Sequence, residues 1–129
     1  MNILLWVLQV LLAAAFAAHG LMFLFPPASM VAEMNAFIPP ALRLFIGVAE
    51  VLAAIGLTLP GFTRIQPRLV PAAAAGLMIV TLCATPFHVS RREVPQASTT
   101  TILFVLVTLV AYQRWKVRPI LPRVRQDAS

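Results

Sequence analysis

Charge is scarce in this sequence, and acidic charge is scarcest. Only 11% of the 129 residues are charged, where soluble domains carry about a quarter, and 60% are hydrophobic. Four acidic and ten basic residues cannot cover that much apolar surface in water. Lipid can. Cysteine is also nearly absent. Cys83 stands alone inside a hydrophobic run, which excludes an internal disulfide and any CxxC dithiol chemistry of the chain's own. It reads as a small buried apolar residue. There is no Walker loop, no HExxH, no GxSxG and no paired metal-ligand spacing, so no metal site and no catalytic motif is expected. The net charge of +6 does not imply nucleic acid, because the basic residues are not interleaved with stacking aromatics. They lie between and after the hydrophobic runs, where topology signals are placed. The length leaves no room for a separate catalytic module, and no internal repeat is convincing.

What is present is hydrophobic runs long enough to cross a hydrocarbon core of about 30 Å. The first spans 3–25 and is closed by Pro26-Pro27. A signal peptide is the competing reading, but no Lys or Arg precedes the run and its apolar stretch is too long, so a retained helix is expected. The second spans 41–59, opened by Pro39-Pro40 and closed by Pro60-Gly61, in the usual order of proline at the start and glycine past the end. The third spans 69–88 with Pro71 in its first turn. The fourth spans 98–115, ending near Trp115 as an interfacial anchor. The expected fold is therefore all-α, a four-helix transmembrane bundle over 1–118. A basic, mobile cytoplasmic tail follows at 119–129. Between the first two spans, Met30, Met34, Phe37 and Ile38 recur at helical spacing, which predicts a short surface helix over 29–38. The small pairs Ala13/Ala17, Ala14/Ala18 and Ala72/Gly76 predict close helix approaches.

Four spans put both termini on one side. That side carries Arg64, Arg68, Arg114, Lys116, Arg118, Arg123 and Arg125; the other has Arg91 and Arg92. The imbalance predicts cytoplasmic termini.

Ionisable groups inside a span cost about 2.5–3.5 kcal/mol each at mid-depth, so their positions are informative. His19, Arg43, Glu50 and His88 all fall in the outer half of the spans. At 1.5 Å per residue His19 lies about 9 Å, Glu50 about 13 Å and Arg43 about 3 Å below the outer ends, with His88 at the rim. Side chains tilt toward their helix N-terminus, so His19 leans inward and Glu50 outward, toward one level. Arg43, Gly47, Glu50 and Ala54 share a face of the second span. Thr81, Thr85 and His88 form a polar stripe on the third, where Pro86 frees a backbone carbonyl. Each residue has a plainer alternative. Glu50 can be packing glue, Arg43 can snorkel to headgroups, His19 can be a satisfied core histidine, and His88 can be an interfacial one. Taken together at one depth, the four predict a single ligand-binding or proton-exchange pocket.

Ala18-His19-Gly20-Leu21-Met22, the Pro-Pro-Ala-Leu-Arg-Leu-Phe-Ile-Gly-Val-Ala-Glu run from Pro39 to Glu50 and its continuation to Pro60, and Pro86-Phe87-His88 resemble the DoxX-like membrane proteins of bacteria. The resemblance covers nearly the whole chain. It places Arg43 and Glu50 where the family keeps an Arg and a Glu seven apart, and His88 where a histidine commonly ends the third span. Many relatives have Gly-x-x-Lys late in the first span. Here Phe23 stands in place of the lysine, and His19 supplies a polar group instead. The resemblance implies a bacterial inner-membrane location. It also implies an association with redox systems, since the family takes its name from a subunit of a thiosulfate:quinone oxidoreductase. Fold similarity alone does not carry chemistry.

Three functions remain open on the sequence. One is an accessory or subunit of a membrane redox or quinone-linked system. Glu50 and His19 would then exchange protons with a lipid-soluble, carbonyl-bearing ligand, Arg43 would orient an anionic group, and any flavin, haem or metal would belong to a redox enzyme partner. Another is a non-enzymatic scaffold in which the polar cluster locks the helices. The third is a small transporter, which with so few spans calls for a homo-oligomer.

Overall fold

The computed structural model describes residues 2–124. Arg125 and the remainder of the tail, which entered the orientation argument above, lie outside the described residues. Five α-helices follow one another: α1 Asn2–Leu24, α2 Ala28–Phe37, α3 Pro40–Thr63, α4 Leu69–Ser90 and α5 Val94–Tyr112, the last running into a π-helical turn, Gln113–Val117. Four are long and apolar enough to cross a membrane: α1, α3, α4, and α5 taken with its π turn. At 1.5 Å per residue each reaches about 33–36 Å.

Proline sets most of the boundaries. Pro26 and Pro27 offer no backbone N–H to continue α1, and Pro40 and Pro95 sit in the first turns of α3 and α5, where a missing N–H costs nothing. Two expected boundaries are corrected. The second span does not stop at Leu59: the helix runs through Pro60 and Gly61 to Thr63, and ends where Arg64 turns left-handed at φ 57°. Gly61 is small for a packing reason. A Cβ there would stand 2.5 Å from the Trp6 ring, which stacks on Phe62 with centroids 4.5 Å apart. The fourth helix begins at Val94 rather than Ser98, because Pro95 is compatible with a first turn. The surface helix expected over 29–38 forms as α2 and buries none of its residues.

Around the bundle α1 packs on α3, α3 on α4 and α4 on α5, while α1 and α5 meet over a shorter seam. The core is built of Leu5, Leu12, Phe16, Ala54, Leu57, Leu77, Val107 and Val110 with small residues between them. Ile3, Phe45, Leu52, Ile79 and Ile102 stand exposed on the outside, an apolar surface suited to acyl chains rather than water. Of the small pairs, Ala72/Gly76 marks no contact, since nothing lies within 4 Å of a Cβ on Gly76. Close approaches are made by Gly20 with Gly47, and by Gly56 with Ala73.

The first and last described residues lie at one end of the bundle, where Arg114 reaches Asn2. The first part of the expected mobile tail is docked there. Arg64 Nε donates to Leu121 O at 2.9 Å and Arg123 N to Arg64 O at 3.0 Å.

Candidate functional site at the α1–α3 crossing

The site begins with two glycines. A Cβ on Gly20 would stand 2.8 Å from Gly47 O, and one on Gly47 would stand 2.9 Å from Gly20 O. The two backbones are therefore in contact, which only glycine on both sides permits. This crossing draws together the residues beside it. His19 Nδ1 lies 2.6 Å from Glu50 Oε2, as the opposed tilt of the two side chains predicts. Glu50 is buried, with a side chain 4% exposed, whereas His19 is 46% exposed. The carboxylate is thus sealed within the bundle, and the imidazole is the partner that reaches the surface. Phe23 lies against that imidazole with centroids 4.4 Å apart.

Arg43 is buried on the same face of α3, and donates from a terminal nitrogen to the carbonyl of Phe23. The reason lies in the sequence. That carbonyl would normally accept from the N–H four residues on, but the residue there is Pro27, which has none. Arg43 supplies the donor and places a cation at the C-terminus of α1, where the helix dipole favours one. It makes no ion pair with Glu50, and its Nε has no partner among the described residues.

His88 does not join this group. Its Nδ1 is 2.6 Å from Glu93 Oε2, and Arg91 Nε donates to the other carboxylate oxygen at 2.9 Å. The guanidinium of Arg91 also stacks 3.4 Å above the Phe37 ring, tying α2 to the α4–α5 turn. The bonds from His88 and then Arg91 hold the Glu93 carboxyl below the usual carboxylate range. The predicted pocket of four residues is therefore two clusters. His88 turns to Glu93 because Arg92, left-handed at φ 57°, folds the chain back within five residues. Of the expected stripe on α4, Thr81 bonds Leu77 O of its own helix, while Thr85 donates to the Thr100 hydroxyl of α5 at 2.9 Å.

A second buried polar group, at the opposite end, escaped the sequence reading. Gln9 is fully buried and donates to Leu57 O at 2.7 Å, while its side-chain oxygen accepts from Arg114 Nε. Arg114 is 3% exposed; its Nη1 bonds Asn2 Oδ1 at 2.8 Å and Arg118 O at 3.2 Å. A signal existed, for Arg114 follows Val107 and Val110 at helical spacing on the core face of α5.

Chemically, the α1–α3 site is a carboxyl–imidazole pair able to hold a proton between Oε2 and Nδ1 and expose it through the half-exposed ring. A family model described as the DoxX-like family matches residues 7–111, which include every residue of this site. No curated protein and no solved structure matches the chain.

Proposed function

The chain belongs to the DoxX-like family and is an integral membrane protein, and we propose that it serves as an accessory subunit of a membrane redox or quinone-linked system. The observation that carries the reading is the 2.6 Å contact between buried Glu50 and half-exposed His19. An ionisable pair in the outer reaches of a lipid-facing bundle is a functional group by default. His19 is placed to hydrogen-bond the carbonyl of a lipid-soluble ligand arriving from the bilayer. Reducing a quinone takes two electrons and two protons; the partner enzyme supplies the electrons, and the pair relays protons through His19. Arg43 holds the end of α1 against α3 and so positions His19, instead of orienting an anionic group. The cationic residues Arg64, Arg68, Lys116, Arg118 and Arg123 gather at the terminal end, which faces the cytoplasm on this reading. On the same reading the pair lies toward the outer face of a bacterial inner membrane.

The Gly20–Gly47 contact favours a second reading, a scaffold in which the Glu50–His19 contact locks α1 to α3. Purification in mild detergent followed by quinone extraction separates the two. On the first reading wild type retains quinone, while Glu50→Gln and His19→Phe keep the fold and lose the ligand. On the second, no quinone is retained and both variants unfold at lower temperature.

A further inference from the structure

At the end of the bundle where Arg114 reaches Asn2, a buried cation has no anion among the described residues. Glu33, Glu50 and Glu93, the acidic groups among the described residues, belong to α2 and to the clusters at the opposite end. Among the described residues Arg114, 3% exposed, meets only neutral acceptors, and its Nη2 has no hydrogen-bond partner. A buried guanidinium without a counter-charge is strongly disfavoured unless something negative completes it. Beside it lies an open cleft of about 420 Å³ whose lining includes Arg64, Arg114, Arg118, Asn2, Trp6 and Leu121. Three arginines thus line one cavity, with no carboxylate among the described residues lining it. One flank is apolar: Trp6 is stacked on Phe62, Leu121 lies at the cleft and Ile65 is exposed nearby in sequence to Arg64. Arg114 itself is carried on the π-helical turn, a rare local structure often found at functional sites.

We propose that this cleft binds a phosphate oxyanion, with Arg114, Arg64 and Arg118 as its cations and an anionic phospholipid headgroup as its source. Guanidinium groups match phosphate oxygens in fork geometry. The apolar flank gives the glycerol and upper acyl chain a surface that a free ion would not use. The cleft is separate from the His19–Glu50 pair, and neither depends on the other.

Native mass spectrometry of the full chain, released from detergent after incubation with phosphatidylglycerol, phosphatidylcholine or inorganic phosphate, tests the site. The expected result is a phosphatidylglycerol adduct at least about tenfold more persistent than the phosphatidylcholine one, weakened about tenfold in Arg64→Gln and in Arg118→Gln. Those two arginines lie on the exposed side of the cleft, so their variants fold even where Arg114→Gln does not. Binding of inorganic phosphate without preference for the anionic lipid keeps the oxyanion site and assigns it to the free ion. Equal retention of both lipids by wild type and variants, with no phosphate bound, overturns the proposal. So does a stability loss in Asp127→Asn that matches Arg114→Gln, with no lipid bound, for the chain's own carboxylate is then the counter-ion.

Discussion

Gly20 on α1 and Gly47 on α3 each place a carbonyl oxygen in the space that a side chain on the other would need. The neighbour of one, His19, and the residue a turn beyond the other, Glu50, meet as a consequence.

Replacing either glycine with alanine forces two backbones apart, since a backbone carbonyl oxygen, which cannot swing aside, lies within 3 Å of either new Cβ. Gly20→Ala and Gly47→Ala are each expected to cost about 1–3 kcal/mol and to lengthen the His19–Glu50 contact. Gly76→Ala, facing open space, is the matched control and is expected to leave the melting temperature unchanged or slightly higher, as alanine is the better helix former. Thermal unfolding in one detergent reads all three.

At the other end, Gln9 gives a buried acceptor to a buried guanidinium. Gln9→Leu leaves Arg114 Nε without it and is expected to destabilise by about 2–4 kcal/mol. Adding Arg114→Met removes the orphaned charge and is expected to restore much of that loss. A double-mutant cycle measures the coupling. Additive losses would show that the two residues do not share a network.

The Glu93 cluster makes stability depend on pH in one direction. Its folded pKa is lowered, first by the His88 bond and then by Arg91. The stabilisation is therefore fully present above the ordinary glutamate value of about 4.3 and is lost as pH falls through the lowered folded value. Glu93→Gln is expected to flatten the acid side of a melting-temperature profile taken below about pH 5. The variant following wild type across that range would exclude the cluster as a source of acid sensitivity.

Much of this was legible in the residues, and the misses have physical causes. The spans stand out because lipid requires about twenty consecutive apolar residues and nothing else in the chain looks like that. His19 and Glu50 were placed together because two antiparallel helices tilt side chains at matched depth toward each other. Pro60-Gly61 misled because the pair that usually ends a helix here opens room for Trp6 instead. Arg114 misleads because cations at the end of a hydrophobic run read as topology signals, even where one continues the core face of Val107 and Val110. His88 reads as part of the outer pocket because its partner Glu93 lies in a turn, outside the spans where a carboxylate stands out. Arg43 looked like a ligand cation; the missing N–H of Pro27 explains it as a cap.

The central claim is that Glu50 and His19 hold an exchangeable proton which a quinone reaches through the imidazole. Difference infrared spectroscopy of the purified protein, with and without a soluble quinone, measures it directly in the carboxyl stretching region. The expected result is a shift of one carboxyl band on ligand addition, present in wild type, absent in Glu50→Gln and altered in His19→Phe, with all three proteins folded. A spectrum that quinone leaves unchanged in wild type, while Glu50→Gln merely melts earlier, would contradict it.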